Sequence, residues 1–181
     1  MNIVVIGRGN VGGGLAALWR KAGHEVTALG RGGGDASGAA VVVVAVPGPA
    51  LSAGPQHGPG LAGTIAIDAA SAFPSRTEAF ASLAGEVKSV TGGPVATSVN
   101  LNFAVLDDQI AAQRVPPGSF YVAADGARDV TGQLITDAGD DPVPPGGLDQ
   151  ARAVEDLARL LVAARNDGAP VVGRCAVPGQ L

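Results

Sequence analysis

The stretch that decides the fold is "MNIVVIGRGNVGGGLAALWRKAGHEVTALGR", residues 1–31. It opens with an apolar run of strand length, turns on glycines, continues as an alanine- and leucine-rich segment, and passes Gly23 into a second apolar run. The turn itself, Gly7, Arg8, Gly9, Asn10, Val11 and Gly12, satisfies the G-x-G-x-x-G pattern. Its position after a strand and at the opening of a helix is the context that makes such a pattern informative. The three glycines serve different ends. Gly7 permits the tight turn, Gly9 lets a pyrophosphate approach the backbone, and Gly12 lets the helix pack on the strand. The unpaired N–H groups of the helix start would then face phosphate oxygens. A glycine-rich turn without a ligand is the competing reading.

Working outward, strand-length apolar runs recur at 2–6, 25–29, 40–46, 64–67, 95–99 and 120–123. Between and after them lie segments of helical pattern at 11–22, 74–83, 103–114, 127–138 and 148–165. "VVVVAV", at 41–46, shows no polar alternation, as expected of a parallel strand buried on both faces. The alternation predicts an α/β fold with a doubly wound, mainly parallel sheet and a small C-terminal helical extension. A chain of 181 residues suffices for one domain, spanning 1–181, with 148–181 as a C-terminal helix and tail. Leu148, Ala151, Val154, Leu157, Leu161 and Ala164 predict one apolar face on that last helix. Two connections look cut short: 31–39 falls below the roughly 10–12 residues of a crossover helix, and "ALSAGPQHGPGLA" at 50–62 is too rich in proline and glycine for a good helix.

Composition excludes several functions. A formal charge of −4 without a basic cluster leaves nucleic acid no electrostatic footprint. Cys175 is the only cysteine, so an intrachain disulfide and a thiolate zinc site are both ruled out. No apolar run approaches the ~18 residues of a membrane span, and a soluble, cytoplasmic protein is expected. The amphipathic last helix and the apolar tail "GAPVVGRCAV" suggest a homodimer.

The end of the second strand should select the cofactor. An NAD-binding domain places Asp or Glu there to accept the ribose 2′-hydroxyl, whereas this chain reads "ALGRGGG". Arg31 stands where a cation would meet a 2′-phosphate, and Asp35 lies beyond the strand, so NADP is preferred; a solvated Arg31 is the alternative. Arg8, inside the glycine loop, either adds to phosphate binding or points to water. The third strand ends in "AVPGPA", where Ala45, Val46 and Pro47 fall on the carboxyl side of the sheet, the side on which ligands lie. Val46 and Pro47 read equally as nicotinamide contacts and as a plain strand terminator.

Acid-base groups are scarce. Lys21, Lys88 and His24 read as structural, Tyr121 as core and His57 as a loop histidine, so no catalytic side chain is assigned. Asp125, Asp140 and Asp141 occupy capping and turn positions and are not metal candidates. Ser71, Thr97 and Ser98 lack a histidine in a nucleophile setting. Scarcity of proton donors disfavours a small hydroxy-acid substrate and suits hydride transfer between two bound rings, where the protein supplies orientation and excludes water.

The chain from Met1 to about Ala164 resembles the NADPH-dependent coenzyme F420 reductase family. The likeness runs through the opening stretch, "VVVVAVPGPA", "LAGTIAIDAA" and "SVNLNF". Most specific is "SFYVAADGARDVTGQLITDAGDDPVPPGGLDQARAVEDLARLLVAA". The resemblance implies a Rossmann domain binding NADP(H), with coenzyme F420 or another small hydride acceptor or donor placed against the nicotinamide. It carries the cofactor positions over as Gly7, Gly9, Asn10, Val11, Gly12, Arg31, Ala45, Val46 and Pro47, with Ala69 and Asn102 as further positions near the nicotinamide. The chain departs from the family in "DAASA" at 68–72, where a "DATNP"-like run is usual, in Asn100, where a lysine is frequent, and in the short segment after Arg31. Two other readings stay open: a reductase of a small imine or carbonyl compound, with His57 or Tyr121 as donor, and a non-catalytic NADP-binding sensor.

Overall fold

The computed structural model describes residues 1–51, 58–70, 79–98 and 116–166, the last helix with side chains to residue 163. Seven strands form one sheet: β1 (Asn2–Ile6), β2 (Glu25–Leu29), β3 (Val41–Val44), β4 (Ile65–Asp68), β5 (Val95–Ser98), β6 (Gly118–Ala123) and β7 (Asp141–Gly146), in the order β2-β1-β3-β4-β5-β6-β7. The first five run parallel, β6 is antiparallel to β5, and β7 is parallel to β6. The described helices are α1 (Asn10–Lys21), α2 (Leu83–Thr91), α3 (Asp125–Ala138) and α4 (Ala151–Asn166). This is the doubly wound, mainly parallel α/β sheet of the Rossmann type.

The strand residues divide between two cores as the pleat requires. Ile3, Val5, Val41 and Val43 point toward Leu15, Ala16 and Trp19 of α1 and Leu134 and Ile135 of α3. Val4, Ile6, Val42 and Val44 point the other way, toward Leu83 and Val87 of α2 and Ala151 and Val154 of α4. Both faces are covered, which explains why "VVVV" carries no polar alternation. Trp19, 1% exposed, donates its indole N–H to the Leu134 carbonyl at 2.8 Å and so ties α1 to α3 across the sheet face.

Four expectations need correction. The described part of the 74–83 segment is turn and bend up to Ser82, and the helix starts at Leu83. Ser82 accepts from Gly85 N–H and Gly92 closes the helix in the left-handed region at φ 66, so caps impose a helix on a segment whose glycine and valines disfavour one. Residues 141–146, expected as a connection, form β7: its three prolines are tolerated because the strand lies at the sheet edge, where missing N–H groups face no partner. The last helix begins as a short 3₁₀ turn at Leu148–Gln150 before α4; of its expected apolar face Ala151 and Val154 are buried and Leu148 packs against the same core, while Glu155 and Ala158 join the buried side. Leu157 is partly outside and Leu160 is 68% exposed. The third strand ends at Val44, two residues short of expectation. The expected helix 103–114, Asn100, Asn102, His57, Ser71 and Cys175 lie outside the described residues.

The connection after β2 carries no helix, in agreement with its length. It is a chain of turns in which Asp35 accepts from Ser37 N–H at 2.7 Å, Ala36 is buried, and Ala36 N–H donates to the Pro59 carbonyl at 2.9 Å. No described helix is long and apolar enough to cross a membrane.

Trp19→Phe removes the donor to Leu134 and should lower stability by about 1–2 kcal/mol, read as a shifted urea midpoint with an unchanged slope.

Candidate functional site

The strand order turns back between β1 and β3, and in an open α/β sheet the crevice beyond the carboxyl ends at such a point receives the ligand. The chain builds this corner from backbone. Gly7 N–H donates to the Leu29 carbonyl at 2.9 Å, Ala45 N–H to Ile6 at 2.8 Å, and Ala69 N–H to Val44 at 2.9 Å, so the exits of β1, β2, β3 and β4 are cross-linked side by side.

The three fingerprint glycines have measurably different surroundings. Gly7 has φ 115, and a Cβ there would strike the Ala45 carbonyl oxygen. A Cβ at Gly12 would strike the Gly7 carbonyl oxygen and lie 3.1 Å from Ala45 Cβ. Gly9 is exposed, and a Cβ there would meet nothing within 4 Å. Two glycines therefore serve packing and the middle one faces open space, the arrangement that leaves room for a pyrophosphate. Gly9 is also the N-cap of α1; it has no side chain to cap with, the first helical bond is Gly13 N–H to Gly9 carbonyl at 2.7 Å, and the first turn holds no acid. The amide groups at Asn10, Val11 and Gly12 thus lead the helix without a side-chain acceptor, and the macrodipole adds to their pull on an anion. The residues present fit a dinucleotide.

Among the positions chosen from sequence, the structure brings together Gly7, Gly12, Ala45 and Val46, whose Cγ1 lies 3.5 Å from where a Gly7 Cβ would stand. Pro47 is exposed and opens a 3₁₀ turn, its carbonyl accepting from Ala50 N–H at 2.8 Å. Arg8, Asn10 and Arg31 are exposed around the same corner, Val11 half-buried against α1's core side, and Ala69 buried. Asn102 lies outside the described residues. Gly30, which sequence reasoning passed over, lies directly under the Arg8 guanidinium: Cζ and Nε stand 3.0 Å from where its Cβ would be.

The other polar groups hold the frame. His24 sits between the N-terminal amine, 3.2 Å from Nδ1, and Asp137, 2.8 Å from Nε2. Tyr121 is buried on β6 among the α1 and α3 side chains, with its hydroxyl against Gly132. Ser98 is buried opposite Tyr121, and among the described residues its hydroxyl has no partner. Among the described residues no group of three or more His, Cys, Asp or Glu is arranged to hold a metal ion.

Beside the site, at the end of β4, is an acid that the sequence did not single out. Asp68 is fully buried; its Oδ1 accepts from Ala70 N–H at 2.9 Å and its Oδ2 from the Thr97 hydroxyl at 3.0 Å. Burial pushes its carboxyl up to about 7, the Ala70 and Thr97 hydrogen bonds oppose this, and the buried Glu155 and Glu86 add to it. Glu155 in turn accepts from Leu83 N–H at 2.7 Å, capping α2 from α4.

No protein-family model and no curated protein matches the chain. Solved structures do. A provisionally named F420-dependent NADP reductase from Arthrobacter sp. FB24 superposes with a TM-score of 0.73 at 22% identity, over 92% of this chain and 95% of that one. A hypothetical protein from Sinorhizobium meliloti gives 0.67 at 23% identity, over 83% and 88%. A reductive aminase from Aspergillus terreus, in complex with NADPH and ethyl levulinate, gives 0.62 at 13% identity over 92% of this chain, which spans 62% of the aminase. At these identities the likeness is one of fold.

Two outcomes follow. Gly7→Ala, forced against the Ala45 carbonyl at positive φ, should cost at least about 2 kcal/mol and lower Tm by roughly 5 °C or more, whereas Gly9→Ala should leave Tm nearly unchanged. Because the folded-state value of Asp68 lies above its ordinary 3.8, the native protein keeps a proton that the unfolded chain has released between about pH 4 and 7. Its contribution is fully present below pH 4 and lost as pH rises through about 7, by on the order of 4 kcal/mol at most. Asp68→Asn should flatten that slope, so urea unfolding at pH 5 and pH 8 should show the variant gaining on the wild type at the higher pH.

Proposed function

We propose that this chain is an NADP(H)-dependent oxidoreductase that passes a hydride between the nicotinamide and a deazaflavin-type acceptor of the coenzyme F420 class. The observation that carries the reading is the open Gly9 at the uncapped start of α1, at the switch point, next to a β2 exit that reads Gly30 and Arg31 with no acid. Asp35, the nearest acid after β2, is occupied with Ser37 N–H of its own turn, and those hydrogen bonds hold its carboxyl below the ordinary range. The exit of β2 is therefore suited to a 2′-phosphate rather than to a 2′-hydroxyl that needs an acceptor.

When bound, NADPH supplies the hydride, and the acceptor takes it together with a proton from solvent. The chain's own contribution is to hold the pyrophosphate on the amides of residues 9–12, to place the ribose phosphate at Arg31, and to set Ala45, Val46 and Pro47 at the floor on which the nicotinamide half would rest. The described corner offers backbone amides and small apolar side chains, and the acid beside it, Asp68, is buried and bonded to Ala70 and Thr97, a composition that supports a ring-to-ring transfer. Fold neighbours named as an F420-dependent NADP reductase and as a reductive aminase in complex with NADPH support the cofactor class. The imine or carbonyl reading is the weaker one, because Tyr121, its candidate donor among the described residues, is packed against α3.

Calorimetric titration of the full chain with NADPH and with NADH tests the reading, followed by turnover with F420. Micromolar NADPH binding should exceed NADH binding, and Arg31→Ala should cut NADPH affinity by about 10-fold or more while leaving NADH unchanged. Binding without turnover of any acceptor would favour a non-catalytic NADP-binding role.

A further inference from the structure

We infer that Arg8, within the glycine loop, is a determinant of cofactor selectivity, acting as the second cation of a ribose 2′-phosphate subsite whose floor is Gly30. The inference rests on the NADP reading above and names the residue pair that enforces it.

In a domain selecting the 2′-hydroxyl, an acid at the exit of β2 projects its side chain toward the ribose. Here the residue after Leu29 is Gly30, and the space its side chain would fill is taken by the Arg8 guanidinium, with Nη2 closest and Cζ and Nε at 3.0 Å. The acid's place thus holds a cation delivered from the neighbouring loop. The geometry is pinned at its base: Gly7 N–H donates to the Leu29 carbonyl at 2.9 Å, which fixes the residue before Arg8 to the residue before Gly30.

Charge supports the same reading. Among the described residues neither Arg8 nor Arg31 is in an ion pair, α1 has no acid in its first turn, and Asp35 is engaged by Ser37. Two cations at one strand exit with no ion-pair partner among the described residues suit a dianionic phosphate monoester. A guanidinium meets such a group with two parallel N–H donors, which a lysine cannot reproduce.

Adenosine 2′,5′-bisphosphate and 5′-AMP, titrated into the full chain, isolate the 2′-phosphate from the rest of the cofactor. Wild type should prefer the bisphosphate. Arg8→Ala should reduce that preference 10-fold or more with 5′-AMP affinity unchanged, and Arg8→Lys should restore only part of it. Gly30→Ala is the second probe: its Cβ meets only the far end of a flexible side chain, so Tm should hold while the displaced guanidinium costs bisphosphate affinity. Equal loss for both nucleotides in Arg8→Ala would mean that the guanidinium stacks on adenine and would overturn the assignment. So would a preference that survives both substitutions. A wild-type protein that binds neither nucleotide would overturn the dinucleotide reading and this assignment together.

Discussion

The site depends on one close backbone contact: the Gly7 turn wedged against the Ala45 carbonyl at the exit of β3, with Gly12 closing on Gly7 from the helix side. Neither position has space for a methyl group, so α1 can leave β1 at this angle only with hydrogen in both places. That angle brings the start of α1 to the crevice between β1 and β3, and the amides with it. The core fits the same constraint. Small and branched side chains fill both faces of the sheet, Trp19 is the one large anchor of α1, and the layers stay close enough for backbone to touch backbone.

On the opposite face the chain accepts a cost. Asp68, Glu86 and Glu155 are all buried on or around β4, α2 and α4, where desolvation and mutual repulsion work against three carboxylates. Hydrogen bonds offset part of it. Asp68 turns the chain at the end of β4 through Ala70 and Thr97, and Glu155 supplies the amide of Leu83 with an acceptor. The polar groups thus position the strand exits beside the crevice rather than line it. With its carboxyl raised to about 7 by burial, Asp68 is kept inside without a full buried charge only below that pH.

The short connection after β2 changes the adenosine side. In place of a crossover helix, turns tuck Ala36 into the core and bond to Pro59, so the strand exit is covered by chain rather than by helix. On the proposed reading less protein would surround the ribose, so recognition would fall to a few charged groups, and the pairing of a loop arginine with a glycine pad needs few residues. Shape complementarity would have to be assembled from many contacts, whereas a phosphate can be selected by charge and fork geometry alone.

The sequence by itself determined β1, α1 and β2 to within a residue, the parallel character of "VVVV", and the glycine loop, because each is written in local period or in a backbone requirement that only glycine meets. It also showed that 31–39 was too short for a helix. Tertiary structure decided the rest. α2 exists because Ser82, Gly92 and Glu155, the last from 72 residues away, satisfy its ends. β7 exists because an edge accepts prolines that a central strand would reject. Ala151 and Val154 of the inner face of α4 were legible as apolar period, whereas the burial of Glu155 follows from the Leu83 amide it caps. The seat of Arg8 on Gly30 and the protonation of Asp68 have no local signature, for both arise from groups that meet only when distant strands align: burial and charge are properties of the assembled sheet.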